Sequence, residues 1–346
     1  MLSTHRTMPS TRRVLTLASL LAALALLVSG CAISTTPAPG AGDGVVGAAN
    51  SPSAKPKSYI PTQYDITPLL DPSHKYFGAA LPNVPNSLAD LTSYTSEVGK
   101  QPNLVEYYDL WGDGFDYTGV KQIYDRGALA YMAWEPYNTS LASIAAGKSD
   151  AYITKFAKQV DYLHLPIAIS FGHEMNGDWF PWGTTGATPA QFVKAWRRIH
   201  DIFQKVGATN VIWVWSPNIV NPVPKVQLAP YYPGDAYVDW IGMIGYYAEY
   251  GAHTFDTLYD PTMAEVRAVT KKPFIIAETS SQPESRRIAD INDLFAGVES
   301  HKDVLGFIWF DIPKRADWRI ENTPDALADF KQRASDPIFG FNIRNP

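Results

Sequence analysis

Eight short runs of apolar and aromatic residues recur along the chain after residue 70, and several of them are separated by segments long enough for a helix. Short, strongly apolar runs of this kind are typical of strands that are buried on both faces. We therefore predict eight strands, at YFGAA (76–80), LVEYY (104–108), ALAYMA (128–133), PIAISF (166–171), VIWVW (211–215), VDWIGMI (238–244), PFIIA (273–277) and VLGFIWF (304–310).

Several segments between these runs carry the signals that begin and end helices. The clearest begins at Thr188, an N-cap residue followed by Pro189 at the first helical position and by Gln191 as the partner in a capping box. Asp260-Pro261 and Thr323-Pro324 repeat the start signal, so we predict helices beginning there as well. In the first segment, apolar residues recur at helical spacing before a glycine stop, at Phe192, Trp196, Ile199, Phe203 and Gly207.

Alternation of strands and helices implies parallel strands joined by right-handed crossovers. Eight such units in roughly 250–300 residues match the size of a (β/α)8 TIM barrel, which is the α/β fold that we predict. The alternative is a doubly wound open sheet, but the sequence lacks the early glycine-rich phosphate turn that is typical of that fold. In a barrel, the chemistry collects at the carboxyl ends of the strands.

The first 58 residues differ in composition from the rest, because they contain no Phe, Trp or Tyr, while all ten tryptophans lie at residue 111 or later. Three arginines precede an apolar run at 14–28, which is shorter than the ~20 residues that span a bilayer. This layout predicts a signal peptide over residues 1–31. The run ends in VSGC, which resembles a bacterial lipobox, and we predict lipidation at Cys31; an ordinary signal peptide is the alternative.

Residues 32–58 are rich in Ala, Gly, Pro and Ser, which predicts a flexible tether. Residues 59–346 are then long enough for one large domain, and with no cysteine after Cys31 it must be held by its core. We expect a monomer outside the cytoplasm, in contact with the membrane only through the lipid anchor, or secreted. The first 58 residues carry a net charge of +4 and the remainder −9, which disfavours nucleic acid and polyuronates and favours a neutral substrate.

The stretch GHEMNGDWFPWG (172–183) places His173 beside Glu174 and follows them with three aromatic rings. A zinc peptidase needs a second histidine four residues after the first, where this chain has Gly177, so we predict no metal or other cofactor. Glu174 lies just past the fourth run and Glu278 just past the seventh. Two carboxyl groups that flank one bond are what glycoside hydrolysis requires.

Four stretches, in order along residues 70–340, resemble glycoside hydrolase family 26: HEMNGDWFPWG (173–183), VDWIGMIGYY (238–247), KPFIIAETSS (272–281) and GFIWFDIPKRADWRI (306–320). The resemblance implies a secreted retaining hydrolase with its acid/base and nucleophile on strands four and seven of a barrel. It assigns the acid/base role to Glu174 and the nucleophile role to Glu278. It also implies that His173 helps to form the subsite for the cleaved sugar and that Tyr246 hydrogen-bonds the nucleophile.

Sugar faces stack on aromatic rings, so tryptophans near the strand ends are candidate platforms. We predict that Trp179 and Trp309 bind substrate, with Trp182 as a further candidate. Glu135, in AWEPY, is a third strand-end carboxylate and is open to either a substrate contact or a structural role. Four other tryptophans, which lie inside strand runs or on a helix face, are predicted to be core: Trp196, Trp213, Trp215 and Trp240.

Three positions depart from the family pattern. Ser170 replaces a common arginine, whose charge would favour ionised carboxylates; Ile244 replaces a common acidic residue; and Pro181 removes a ring from the WFWWG of many mannanases. We predict an endo-hydrolase of β-1,4-mannan as the leading function. Mixed-linkage β-1,3-1,4-glucan and β-1,3-xylan are alternative substrates, and a catalytically silent saccharide-binding lipoprotein is the alternative from another class.

Overall fold

A computed structural model describes residues 64–220 and 225–346. Eight parallel strands form a closed barrel, in which each strand pairs with the next and the eighth pairs with the first. All eight predicted strands are present, and the predicted (β/α)8 barrel is confirmed. The strands are β1 (Tyr76–Ala80), β2 (Leu104–Leu110), β3 (Leu129–Glu135), β4 (Ile167–Phe171), β5 (Val211–Trp215), β6 (Trp240–Ile244), β7 (Phe274–Thr279) and β8 (Val304–Phe310).

Helices connect most of the strands. In chain order they are α1 (Thr67–Leu70), α2 (Ala89–Val98), α3 (Tyr117–Asp125), α4 (Leu141–Ala145), α5 (Asp150–Leu163), α6 (Pro189–Val206), α7 (Phe255–Arg267), α8 (Arg287–Ser300) and α9 (Pro324–Ala334). Between β5 and β6 the described residues contain a turn of 3₁₀ helix, Ala229–Tyr231. After β8 the chain forms a two-stranded hairpin, β9 (Pro313–Lys314) and β10 (Ala316–Asp317), and then a 3₁₀ turn, Ile320–Asn322.

Helix α6 begins and ends where its sequence signals predict. The Thr188 hydroxyl accepts from the backbone N–H of Gln191, whose side chain accepts from the N–H of Thr188, so the capping box is complete. Gly207 ends the helix with a φ of 97°, a conformation that glycine adopts without a steric penalty. The predicted start at Thr323-Pro324 is also confirmed, by α9.

The prediction of a helix start at Asp260-Pro261 is wrong, because Pro261 lies inside α7. The helix begins at Phe255, where Thr254 and Thr257 form a capping box. Buried side chains continue at helical spacing on both sides of the proline, from Leu258 through Met263 to Val266. Packing of this face against the barrel outweighs the loss of one backbone hydrogen bond at the proline.

Two apolar layers fill the domain, one between the strands and the helices and the other inside the barrel. Adjacent residues of a strand enter different layers because strand side chains alternate between the two faces. The predicted core tryptophans are confirmed as buried: Trp196, Trp213, Trp215 and Trp240.

No helix within residues 64–220 and 225–346 has the length and apolar character needed to cross a bilayer. The predicted signal peptide, the lipidation site at Cys31, the tether and the domain boundary at residue 59 lie outside the described residues. They stay predictions.

Candidate active site

Five ionisable side chains from four strands converge at the carboxyl-terminal mouth of the barrel, which we call the cleft. They belong to β2, to the last residue of β3, to the loop after β4 and to β7, and the four carboxyl groups among them influence one another by charge. This convergence follows from topology, because all eight parallel strands end at the same rim. The five residues are Glu106, Glu135, His173, Glu174 and Glu278.

Glu174 is held three residues beyond β4 in a left-handed backbone conformation, with a φ of 54°. Its backbone N–H donates to the carbonyl of Ser216 at 2.7 Å, which fixes the turn. Its carboxylate accepts from Trp179 Nε1 at 2.8 Å and from the amide of Asn218. Burial and the charge of Glu278 raise the pKa of Glu174 to about 7, although both hydrogen bonds oppose the rise. The group is thus suited to hold a proton near neutral pH.

Glu278 lies in β7 and is 9% exposed. Its two carboxylate oxygens accept hydrogen bonds from the hydroxyls of Tyr108 and Tyr246, one to each oxygen. Burial raises the pKa of Glu278, whereas the two hydroxyls and then the charge of Lys314 lower it. Phenolic donors therefore favour the carboxylate form here and hold it in one orientation.

His173 is almost completely buried beside these groups, and its Nε2 lies 3.9 Å from Glu135 Oε1. Burial, followed by the charge of Lys314, lowers the pKa of His173 to about 3, so the imidazole is neutral. Burial also raises the pKa of Glu135 to about 7. Aromatic rings of Tyr108, Phe180 and Trp182 surround the imidazole at 5.0–6.1 Å between ring centroids.

Two of the three predicted platforms are wrong, because Trp182 and Trp309 are buried. The Trp182 ring stacks on Phe180 at 4.4 Å, and its Nε1 donates to the carbonyl of His173. The indole therefore stabilises the loop after β4. Trp309 lies on the helix-facing side of β8, where it packs against Phe330 at 5.0 Å. Alternation along β8 directs Phe310, and not Trp309, into the barrel.

Trp179 remains available as a platform, since it is 39% exposed while its Nε1 is bonded to Glu174. A second ring, which the sequence interpretation missed, belongs to Trp318. It lies just after the β9–β10 hairpin and packs against Tyr246 at 4.9 Å. Its indole donates to the carbonyl of Lys314, and it is partly exposed.

Comparison with known proteins agrees with this arrangement. The sequence model of glycosyl hydrolase family 26 matches residues 133–300, a segment that contains Glu174 and Glu278. Endoglucanase H of Acetivibrio thermocellus is 30% identical over 256 residues, which are 70% of this chain and 28% of that protein. The chain belongs to glycosyl hydrolase family 26.

Other family 26 proteins resemble smaller parts of the sequence or the fold alone. A mannan endo-1,4-beta-mannosidase of Bacillus subtilis is 30% identical over 149 residues, 40% of this chain and 38% of the relative. The solved GH26 beta-mannanase from Bacteroides ovatus superposes with a TM-score of 0.58 at 16% identity, over 79% of this chain and 92% of that one. The aligned part of this chain spans less than two fifths of the length of the Acetivibrio thermocellus and Bacillus subtilis relatives.

Three residues of the cleft were not identified from sequence: two donate hydrogen bonds to Glu278 or Glu174, and the third interacts with both by charge. Tyr108 is inside an apolar run, and Asn218 is on the loop after β5; neither position has a local signal. Glu106, also on β2, is 2% exposed, and its Oε2 has no hydrogen-bond partner in the described part of the chain. The sequence signal that could have identified Glu106 is an acidic residue in the middle of an apolar run that predicts a buried strand.

The departures at Ser170 and Ile244 have structural consequences. Ser170 is buried inside the barrel, and its hydroxyl donates to Ser216 Oγ at 2.7 Å, which also bonds the Tyr131 hydroxyl at 3.0 Å. A neutral hydroxyl cluster thus occupies the layer beneath Glu174. Ile244 is 2% exposed and packs in the apolar layer inside the barrel, so it offers no polar contact to a sugar.

Metal-ligand spacing occurs elsewhere among the described residues. Ligand atoms of Asp256, Asp260 and His301 lie within 4.8 Å of one another on α7 and at the end of α8. Both aspartates are exposed to solvent, and this group lies on the outer helices rather than among the cleft residues.

Proposed function

We propose that the protein is a retaining endo-hydrolase of a neutral β-linked polysaccharide, with β-1,4-mannan as its leading substrate. The observation that supports it best is the pair of glutamates in one cleft with different environments. The pKa of Glu174 is raised to about 7, and its carboxylate accepts hydrogen bonds from an indole and a side-chain amide. The carboxylate of Glu278 accepts hydrogen bonds from two tyrosine hydroxyls. One carboxyl is suited to donate a proton and the other to attack.

In the first step, Glu278 attacks the anomeric carbon while Glu174 transfers its proton to the leaving oxygen. The glycosidic bond breaks, and a covalent glycosyl ester on Glu278 forms. In the second step, Glu174, now ionised, takes a proton from a water molecule. The oxygen of that water attacks the same carbon, and the ester bond to Glu278 breaks. Two inversions give net retention.

Aromatic rings at the cleft support a saccharide substrate. Trp179 adjoins the acid/base candidate, and Trp318 lies against Tyr246, so the two rings border the two glutamates. Stacking on such rings orients the sugar along the cleft.

The choice of mannan rests on the names of several relatives and solved structures, which are mannanases. A β-glucan is the second candidate, because the relative whose alignment extends over 70% of this chain is named an endoglucanase. β-1,3-Xylan is a third, since two relatives are named β-1,3-xylanases.

The test is reducing-sugar release from mannan, galactomannan, mixed-linkage β-glucan and β-1,3-xylan. Glu278→Ala is expected to abolish release, and Glu174→Ala to spare aryl glycosides whose leaving group needs no proton. Proton NMR of the first product should detect the β-anomer. A folded wild-type protein that binds oligosaccharides and releases no sugar would instead identify a silent saccharide-binding protein.

We also propose that the protein is attached outside the cytoplasm through a lipid at Cys31, a site supported by the VSGC sequence alone. Cys31→Ser is expected to move the protein from the membrane fraction to the soluble fraction and to abolish incorporation of labelled fatty acid. Incorporation that persists in the variant would contradict the proposal.

A further inference from the structure

The cleft contains four carboxyl groups and a neutral imidazole, and the layer beneath it contributes no cation among the described residues. Burial raises the pKa of each of the four carboxyls, and Glu106 in addition feels the negative charges of the other three. Ser170, which is buried in the barrel interior, provides a hydroxyl where a basic side chain would provide charge. A positive charge that favours the ionised nucleophile candidate must therefore come from outside this group of residues.

Lys314 lies on the β9–β10 hairpin, which follows β8 at the same rim of the barrel. The hairpin is joined to the cleft through Trp318, whose indole donates to the Lys314 carbonyl at 2.9 Å and whose ring contacts Tyr246. Tyr246 in turn donates to Glu278. This chain of contacts fixes the backbone of Lys314 relative to the nucleophile candidate.

Lys314 is an exposed residue, and its ammonium makes neither an ion pair nor a hydrogen bond within the described ranges. Two nearby arginines are engaged elsewhere: Arg319 pairs with Asp317, and the buried Arg287 donates to the backbone carbonyl of Trp318. Among the cations near the hairpin, Lys314 is consequently one whose charge is not taken up by another partner in the described ranges.

The charge of Lys314 acts on every ionisable group of the cleft. It lowers the pKa of one carboxyl on each of β2, β3 and β7, and of both ionisable groups on the loop after β4. For the nucleophile candidate it adds to the hydrogen bonds from Tyr108 and Tyr246, which act in the same direction. The affected groups are Glu106, Glu135, His173, Glu174 and Glu278.

We propose that Lys314 is the positioning residue that balances the charge of the carboxyl cluster, and that it supplies from the hairpin the cation that Ser170 does not. This inference rests on the proposed function. The substrate it implies is uncharged, because an anionic sugar would compete with the cluster for the same ammonium. Lys314 acts on the reacting groups through the field of its charge, without taking part in bond making.

The experiment compares Lys314→Met with Lys314→Arg and with Arg315→Met, a matched control that removes the same charge from the adjacent exposed residue. The readout is the pH dependence of kcat/KM on the polysaccharide that the wild type cleaves. Loss of a cation raises carboxyl pKa values, so both limbs of the profile in Lys314→Met should move to higher pH, by roughly half a unit for an exposed, partly screened charge. Lys314→Arg should restore the profile, and Arg315→Met should leave both limbs in place.

Unmoved limbs in Lys314→Met, even with lower activity, would overturn the proposal, as would an equal movement in Arg315→Met. Thermal unfolding provides a readout that is independent of turnover. Because a larger fraction of the cleft carboxyls is ionised at pH 9 than at pH 5, the deficit in Tm of Lys314→Met should grow between these values, and equal deficits would contradict the inference. A wild type that releases no sugar would refute the proposed function while leaving the Tm comparison to decide on Lys314.

Discussion

Replacing Trp179 with phenylalanine removes one hydrogen bond from the acid/base candidate and keeps an aromatic ring in the cleft. The bond, from Nε1 to Glu174 Oε2 at 2.8 Å, favours the ionised carboxylate, so its loss raises the pKa of Glu174 above about 7. Hydrogen bonds to charged groups contribute about 1.5–3 kcal/mol, and 1.36 kcal/mol corresponds to one pKa unit. Since Trp179 is 39% exposed, solvent replaces part of the bond, and we expect a rise of roughly 0.5–1 unit.

The assay is the pH dependence of kcat/KM on an oligosaccharide, whose leaving group requires the proton of Glu174. The basic limb, near pH 7 in the wild type, should move to higher pH by that amount, while the acidic limb should stay, because Glu278 is bonded to tyrosines and not to Trp179. Trp318→Phe is the matched control, since it also trims a tryptophan at the cleft but leaves the bonds to Glu174 intact. A basic limb that is unchanged in Trp179→Phe, or that moves to lower pH, would refute the reasoning.

Three further predictions concern the nucleophile candidate, a corrected tryptophan and a corrected helix start. Tyr246→Phe removes a donor to the Glu278 carboxylate; kcat/KM should fall about 10–100-fold, with the acidic limb at higher pH, and an unaltered profile would contradict this. Trp309→Phe should lower the free energy of unfolding by about 1–3 kcal/mol in urea with KM unchanged, whereas a raised KM would restore its role as a platform. Thr254→Ala should destabilise the protein by about 0.5–2 kcal/mol, comparable to Thr188→Ala at the other capping box, and no loss would place the start of α7 elsewhere.

The barrel could be predicted because buried parallel strands have a composition that few other elements share. Continuous apolar runs define β1, β5 and β8 to the residue, since both faces of these strands are covered. Once eight strands alternate with helices, closure brings all their carboxyl ends to one rim. The positions of Glu174 and Glu278 at the cleft then follow from topology, with no knowledge of their contacts.

Side-chain direction could not be read in the same way. In β8 every residue from Val304 to Phe310 is buried, so hydrophobicity does not distinguish the inward-facing residues from Trp309. Trp182 and Trp179 are three residues apart in one irregular loop, and only the tertiary structure buries the first and exposes the second. Trp318 reaches Tyr246 through a hairpin of two-residue strands, which leaves no periodic signal.

The environments of the two glutamates explain how one residue type serves two roles in this cleft. Both carboxyls are desolvated, which favours protonation of each, so the difference between them must come from their donors and from charge. The pKa of Glu174 rises to about 7 in part because it faces the negative charge of Glu278. For Glu278, the rise in pKa that burial causes is opposed by two tyrosine hydroxyls and then by the charge of Lys314. Ionisation of Glu278 thus helps to keep the proton on Glu174. Lys314 favours the ionised form of both carboxyls, so its effect on Glu174 must stay small enough to leave that group protonated.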